Sequence, residues 1–392
     1  MHVGLFHKEF YRAALAWYII LITTGEGSAV AENTYRLAII PGDGVGTEVC
    51  REAVKVGEAA VGRYGASLQL TWFDWGCDYY LKHGKMMPDD VLQVLSEFDG
   101  IFLGCIGDAS KVPDHVSLGL LLTIRKGFDQ YVNLRPIFLY EGVHTVLKKA
   151  VHGAVDMVVV RENVEGEYAQ VGGRFKKGTP DEVAIQTGVF TRRGTERVIR
   201  YAFELAMKRN KLEGSGSYTG MVTNCSKSNA LNYSMVFWDE VFDSVSADFP
   251  GIKKDFALVD ALTMWFVKNP EYFDVVVASN LFGDIITDLG AMLQGGMGFA
   301  AGGNINPEKI FPSMFEPIHG SAPKYTGKGV INPFASIEAM RMLLEHLGLG
   351  NAAQSIKNAI QVVLAEGIVR TRDMGGSAKT EEVGDAVARR IV

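Results

Sequence analysis

Two aspartates four residues apart, Asp284 and Asp288, lie in the stretch VVVASNLFGDIITDLG at 275–290. The apolar run Val275–Ala278 predicts a buried strand, a short polar turn follows, and the next residues have helical character. Residues four apart share one helix face. Both carboxylates therefore aim at one point beyond the C-terminal end of a strand, where α/β folds present ligands. Two like charges so placed repel unless a cation joins them, and carboxylate oxygens favour Mg²⁺ or Mn²⁺. Asp260, after the apolar residues FALV at 256–259, is a candidate third acid.

Three arginines stand in comparable contexts: Arg125 in LLTIRK, Arg135 in VNLRP and Arg161 in VVVRENVEGEY. A guanidinium matches a carboxylate bidentately. One such arginine more often makes a structural ion pair; three together point to a dicarboxylate. Tyr168, seven residues beyond Arg161, could return a proton to an enolate, although a tyrosine is more often a packed aromatic. Lys227, in TNCSKSN after the apolar run 218–222, could act as a base if nearby positive charge lowers its pKa; otherwise it is a surface lysine. EPIHGSAP at 316–323 reads as a tight loop able to meet a ligand.

The elements that must position these groups alternate along the chain. Strands are predicted at 36–40, 100–103, 157–160, 218–222 and 275–278, with helices at 48–63, 192–208 and 336–347 among them. That alternation implies an α/β architecture with buried, largely parallel strands. PGDGVG at 41–46 joins the first strand to a helix but lacks the GxGxxG spacing, so the Rossmann fingerprint is absent. Gly295–Asn304 reads as a glycine-rich connector or hinge, and 174–182 as a solvated loop or hairpin arm. The 392 residues are 47% hydrophobic, enough for a large core, and a net charge of −6 gives no nucleic-acid footprint. The four cysteines have no CxxC spacing, which speaks against a zinc site or disulfide scaffold and suits a reducing compartment. The apolar run 13–22 followed by Ala29-Val30-Ala31 is either an N-terminal extension over 1–33 or an export signal; nothing later resembles a membrane span. A cytoplasmic location is the first reading.

Taken in order, PGDGVGTE (41–48), NLRP (133–136), VRENVEGEY (160–168), SKSN (226–229), SNLFGDIITD (279–288) and EPIHGSAP (316–323) resemble the metal-dependent β-decarboxylating dehydrogenases, the isocitrate/isopropylmalate dehydrogenase family. The resemblance implies an isopropylmalate-dehydrogenase-like two-domain fold, not Rossmann, with a large mixed sheet flanked by helices. Residues 34–130 plus 295–392 would form the nucleotide-binding domain and 131–294 a smaller domain with the dimer interface. Arg125, Arg135 and Arg161 would hold substrate carboxylates beside Leu121 and Leu122. Asp284 and Asp288 would bind the cation, with Asp260 and the general base Lys227 coming from the partner of a homodimer. Tyr168 would protonate the enol. Asn229, Glu316, His319, Gly320, Ser321, Ala322, Lys324, Tyr325 and Asn332 would meet the nicotinamide cofactor.

The segments 128–136 and 160–194 are most similar to the tartrate/D-malate branch, implying oxidation and decarboxylation of a malate-like 2-hydroxy acid, with isopropylmalate as the alternative substrate. That branch commonly has a tryptophan before the glycine of the 118–123 loop; here Leu118 meets Gly119 directly. NAD-using relatives carry an aspartate after HGSAP, whereas this chain has Lys324-Tyr325, which leans toward NADP over NAD because a lysine can pair with a 2′-phosphate. TRDMGGSA at 371–378 lacks the further Tyr and Arg of the NADP-using isocitrate enzymes. Two other classes, a catalytically silent binding subunit and a metal-dependent lyase, are opposed by the retained Tyr168 and Lys227 and by the EPIHGSAP loop.

Overall fold

A computed structural model describes residues 33–148, 153–212 and 217–392. The apolar run 13–22 and Ala29–Ala31 lie outside them. Twelve strands occur among the described residues: β1 (Thr34–Gly42), β2 (Ser67–Trp72), β3 (Gly100–Cys105), β4 (Val132–Phe138), β5 (Asp156–Glu162), β6 (Gly166–Phe175), β7 (Val183–Val189), β8 (Gly220–Ser226), β9 (Ile252–Leu258), β10 (Val275–Ala278), β11 (Ala301–Ile305) and β12 (Ser313–Pro317). The helices are α1 (Gly46–Arg63), α2 (Cys77–His83), α3 (Val91–Leu95), α4 (Asp114–Gly127), α5 (Arg192–Arg209), α6 (Ser234–Ser246), α7 (Val259–Lys268), α8 (Asn280–Leu293), α9 (Phe334–His346), α10 (Gly350–Glu366) and α11 (Thr380–Ala388).

Ten strands form one mixed sheet in the order β2-β1-β3-β12-β11-β4-β5-β10-β8-β9. β1, β3 and β12 run parallel, as do β5, β10, β8 and β9. Between these blocks β11 and β4 are antiparallel to their neighbours on both sides. The parallel strands GIFLGC and VVVA are buried throughout, as strands covered on both faces must be. β6 and β7 form a separate two-stranded arm whose outer part is exposed, in keeping with the solvated hairpin expected there.

One sheet face packs continuously against α1, α5, α6 and α9–α11. The opposite face carries two separate apolar clusters. One joins β1, β3 and Met314 of β12 to α2–α4, and the other joins β4, β5 and β10 to α7 and α8. Among the described residues no apolar cluster spans the sheet centre on this face, and the polar residues of the site lie in that gap. Residues 35–392 form one compact unit. No described helix is long and apolar enough to cross a membrane.

Two expectations need correction. The glycine-rich run 295–304 is not a simple connector: after a short 3₁₀ turn it becomes β11, fully buried at the sheet centre. Its glycines answer a steric demand, since a Cβ on Gly302 would sit 2.6 Å from Ile318 and one on Gly303 2.7 Å from Phe315. The strand expected at 218–222 is shifted to 220–226. Its polar half stays in the sheet because Asn224 donates to Asp239 at 2.7 Å and accepts from the Trp238 indole at 2.8 Å.

At the end of α9 the His346 ring packs 5.5 Å from Phe315. Burial, helped by Lys309, lowers its pKa to about 4 from an ordinary 6.5. The unfolded chain therefore takes up a proton that the folded chain refuses as pH falls from 6.5 to about 4. Stability should fall across that window and His346→Leu should remove this contribution. Thermal midpoints of both proteins between pH 4 and 7 check it; parallel profiles would contradict the assignment.

Candidate active site

Side chains alternate across a strand, so the cross-strand register decides which residues share a face. Arg161 of β5 lies opposite Asn133 of β4, Asn133 opposite Asn304 of β11, and Gly302 opposite Glu316 of β12. Arg161, Asn133, Arg135, Asn304 and Glu316 thus form a buried polar row across four central strands, on the face where the two apolar clusters part. Asn304 is its hub: it accepts from Asn133 at 2.8 Å and Asn163 at 3.0 Å and donates to Glu316 at 2.8 Å. Glu316 also accepts from Arg125 of α4 at 2.9 Å. Arg135 donates to Asn133 at 2.6 Å and Thr287 at 2.5 Å.

α8 supplies the other half. Asn280 in its first turn receives Nε and Nη2 of Arg161 on its backbone and side-chain oxygens, both at 2.8 Å. Nη1 donates to Asp284 at 2.6 Å. Arg135 is 3.5 Å from the same Asp284 oxygen, and the Tyr168 hydroxyl donates to the other at 3.0 Å. Arg161 also lies 5.4 Å from the Tyr168 ring centroid. Burial pushes the Asp284 carboxyl up, but Arg161, Arg135 and the Tyr168 hydroxyl outweigh it and the net shift is downward. Asp288, one turn on, is shifted upward by burial and by Asp284. Burial and Asp284 raise the Tyr168 pKa, which keeps the phenol protonated.

Arg125, Arg135, Arg161, Tyr168, Asp284 and Glu316 line a cavity of about 220 Å³, together with the apolar Leu118, Leu121, Leu122 and Ile318. That is below the roughly 300–1,000 Å³ of drug-sized ligand sites, and suits a small acid.

A second cavity of about 710 Å³ is lined by His319, Gly320, Ala322, Tyr325 and Asn332, with Arg372 and Asp373 at one side. Lowered by burial, the His319 pKa keeps the imidazole neutral at pH 7. Its Nδ1 lies 3.1 Å from the Gly320 carbonyl, while its buried Nε2 has no partner. Such an orphaned polar atom fits a polar ligand group. Lys324 is exposed with its ammonium 5.0 Å from the Tyr325 ring, and Ser321 donates to the Gly107 carbonyl. The loop is held by PGDGVG. Val45 donates to the Ser321 carbonyl at 2.8 Å, and a Cβ on Gly44, at φ +59°, would collide with that carbonyl. The amides of Asp43 and Gly46 are likewise satisfied within the protein. The glycine-rich turn is thus a steric clamp rather than a phosphate cradle.

Lys227 and Asp260 pair with each other at 3.0 Å, and hydrogen bonding to Lys227 lowers the Asp260 pKa. Asn229 is exposed beyond Lys227, outside the second cavity. Among the described residues, no three Asp, Glu, His or Cys side chains converge to hold a metal. The oxygen pair Asp284 and Asp288 suits a hard cation but needs further ligands from outside the chain.

Residues 36–387 match the isocitrate/isopropylmalate dehydrogenase family. The chain belongs to this family. It is 48% identical over 367 residues to a D-malate dehydrogenase (decarboxylating) of Escherichia coli K12, covering 92% of this chain and 99% of that protein. It is 47% identical to a tartrate dehydrogenase/decarboxylase of Pseudomonas putida (91% and 97% covered) and 45% identical to a 3-isopropylmalate dehydrogenase of Thermobifida fusca (92% and 99%). An isocitrate dehydrogenase structure from Methylococcus capsulatus superposes with a TM-score of 0.81 at 34% identity, over 91% of this chain and 99% of that one. This member of the family is therefore an oxidoreductase acting on CH–OH, with the expected mixed sheet.

Sequence reasoning missed Asn133, Asn280 and Thr287, which accept from the arginines, and Asn163 and Asn304, which link Asn133 to Glu316. A signal existed for four of them, since Asn133 lies in NLRP, Asn163 in VRENVEGEY, and Asn280 and Thr287 in SNLFGDIITD; Asn304 lies in none of these motifs. Gly283 was also missed: a Cβ there would lie 2.5 Å from Cγ of Arg161. Gly283→Ala should cost about 1–3 kcal/mol by overpacking, read from denaturant unfolding, and raise the substrate KM by displacing Arg161. An unchanged KM would show that Arg161 absorbs the methyl without moving.

Proposed function

We propose that the chain oxidises and decarboxylates a malate-like 2-hydroxy acid, D-malate or a tartrate, with NAD(P) and Mg²⁺ or Mn²⁺. The observation that carries this is the 220 Å³ cavity in which three buried arginines face Asp284 and Tyr168. Arg125, Arg135 and Arg161 hold the two carboxylates. Asp284 and Asp288 hold the cation, with Asp260 of a second copy. When bound, the cation supplies Lewis-acid polarisation of the substrate and the nicotinamide accepts the hydride. Lys227 of the second copy takes the hydroxyl proton as the carbinol becomes a ketone. The bond to the β-carboxylate then breaks, CO₂ leaves and the electron pair forms an enolate. Tyr168, kept protonated by its surroundings, gives its O–H proton to the enolate carbon.

The homodimer is supported by apolar side chains exposed on two helices: Met264, Trp265 and Val267 on α7, Ile285 and Met292 on α8. Asp260, in the first turn of α7, and Asp284, one turn into α8, belong to these same helices, so pairing them between copies completes the site. In this reading residues 34–130 plus 295–392 and residues 131–294 are lobes facing each other across the central groove. The four cysteines are all free and buried, in keeping with a cytoplasmic setting. Leu118, Leu121 and Leu122 in the cavity lining make isopropylmalate the alternative substrate, because they would accept an alkyl group.

The cofactor reading leans to NADP. Lys324 and Lys328 flank the Tyr325 ring at 5.0 and 5.7 Å, and Arg372 lines the same cavity. None of the three makes an ion pair among the described residues, which leaves a cationic rim suited to a 2′-phosphate.

Reduced-cofactor absorbance should be followed with Mn²⁺ and NAD or NADP across D-malate, the tartrates, isopropylmalate and isocitrate. Turnover with D-malate or a tartrate is expected, and Asp284→Asn should lower it by about 10²-fold or more. Absence of turnover with every pair would sink the reading. Lys324→Asp should shift the kcat/KM ratio from NADP toward NAD; a wild type that strongly prefers NAD would refute the lysine argument.

A further inference from the structure

Tyr168 stands where its own strand gives it little support. In β6 the register against β7 shifts between Gly166 and Val171, so Tyr168 falls in the irregular stretch. That stretch is bounded by left-handed backbone at Gly166, φ +67°, and Gln170, φ +62°. No residue of β7 pairs with Tyr168 in the ladder register. The Tyr168 carbonyl accepts from the ammonium of Lys126 at 3.1 Å in a half-buried setting. Lys126 is next to Arg125 in the last turn of α4, so one helical turn sends one cation into the acid cavity and the next to the backbone of the phenol. Among the described residues Lys126 has no carboxylate partner; its charge is directed at this carbonyl alone.

We propose that Lys126 is a positioning residue for the proton-return step, anchoring the backbone of Tyr168 from the opposite side of the groove. This rests on the proposed role of Tyr168 as proton donor. Tyr168 is held at two ends: the hydroxyl on Asp284 and the carbonyl on Lys126. To deliver its proton, the hydroxyl must leave Asp284 and turn to the enolate carbon. During that step Lys126 keeps the bulged backbone in place. A charge-assisted bond suits the task, being stronger than a neutral one.

Lys126→Met keeps the aliphatic stem and removes the donor. With Mn²⁺ and the substrate and cofactor found active for wild type, kcat should fall about tenfold, the loss expected for one such bond, with KM within about twofold. Hydride transfer precedes protonation, so slowing the later step should reveal a rapid first-turnover burst of reduced cofactor. The solvent deuterium isotope effect on kcat should rise as well. Lys126→Arg should restore kcat and suppress the burst, which a packing defect would not do. A Lys126→Met enzyme with wild-type kcat and no burst overturns the proposal, and so does a loss confined to KM. If Lys126→Met does not fold, Lys126→Gln carries the same expectations. An inactive wild type overturns the functional reading and this inference together, whereas an active wild type with an unaffected Lys126→Met overturns the inference alone.

Discussion

Three guanidiniums, two from central strands and one from α4, are buried over the middle of a β-sheet, and the remainder of the site is arranged around that fact. An unpaired buried charge is strongly unfavourable, so each arginine must have acceptors in place before any ligand arrives. Arg125 has Glu316, Arg135 has Asn133 and Thr287, and Arg161 has both oxygens of Asn280 together with Asp284. Asn304 joins these groups laterally, bonding to Asn133, Asn163 and Glu316 at once. The result is a connected network of the kind that rigidifies a core, in which Arg125 Nε and Asn163 Oδ1 are left without partners among the described residues. It occupies the gap on the sheet face between two apolar clusters, where helices do not close over the centre.

The mixed topology makes this gap possible. Two parallel blocks each carry their own helices, and the antiparallel pair β11 and β4 joins them edge to edge. At that seam β11 must be nearly without side chains on part of its length, because Ile318 and Phe315 lie against it. Glycine is the only residue that leaves such room. The same logic governs PGDGVG, where Gly44 lets the loop touch Ser321 and hold the second cavity in shape. In both places glycine serves close backbone packing.

Asp284 is the point at which charge balance and proposed chemistry meet. One oxygen is shared by two arginines and the other receives the tyrosine hydroxyl, so the carboxylate is fully engaged before any cation binds. In the proposed mechanism a cation takes over a position already stabilised by positive charge, and Arg161 and Tyr168, once released, are the groups that would meet the substrate. Under the proposed mechanism, the network that keeps the empty site stable thus becomes the set of groups that handle the acid.

Much of this was legible in the residues themselves. The i, i+4 spacing of Asp284 and Asp288 needed only helix geometry, and Arg161 at the end of VVV needed only an apolar run long enough to be a strand. Short-range rules suffice there because a helix face and a strand end are local properties. Gly295–Asn304 was misread because glycine and asparagine mark loops locally, while burial by residues from another strand is not a local property. Asn304 was invisible for the same reason: its role depends on register with β4, a segment more than a hundred residues away in the chain, as well as with nearby β12. Nor could spacing tell that Lys126 bonds the carbonyl of Tyr168 or that Lys227 pairs with Asp260. The sequence by itself determined the fold class, the family and the residue types available for chemistry, since these follow from periodicity and motif. Which of those residues share a face, which are neutralised by neighbours and which remain free for a ligand was decided only when the sheet brought distant strands into register.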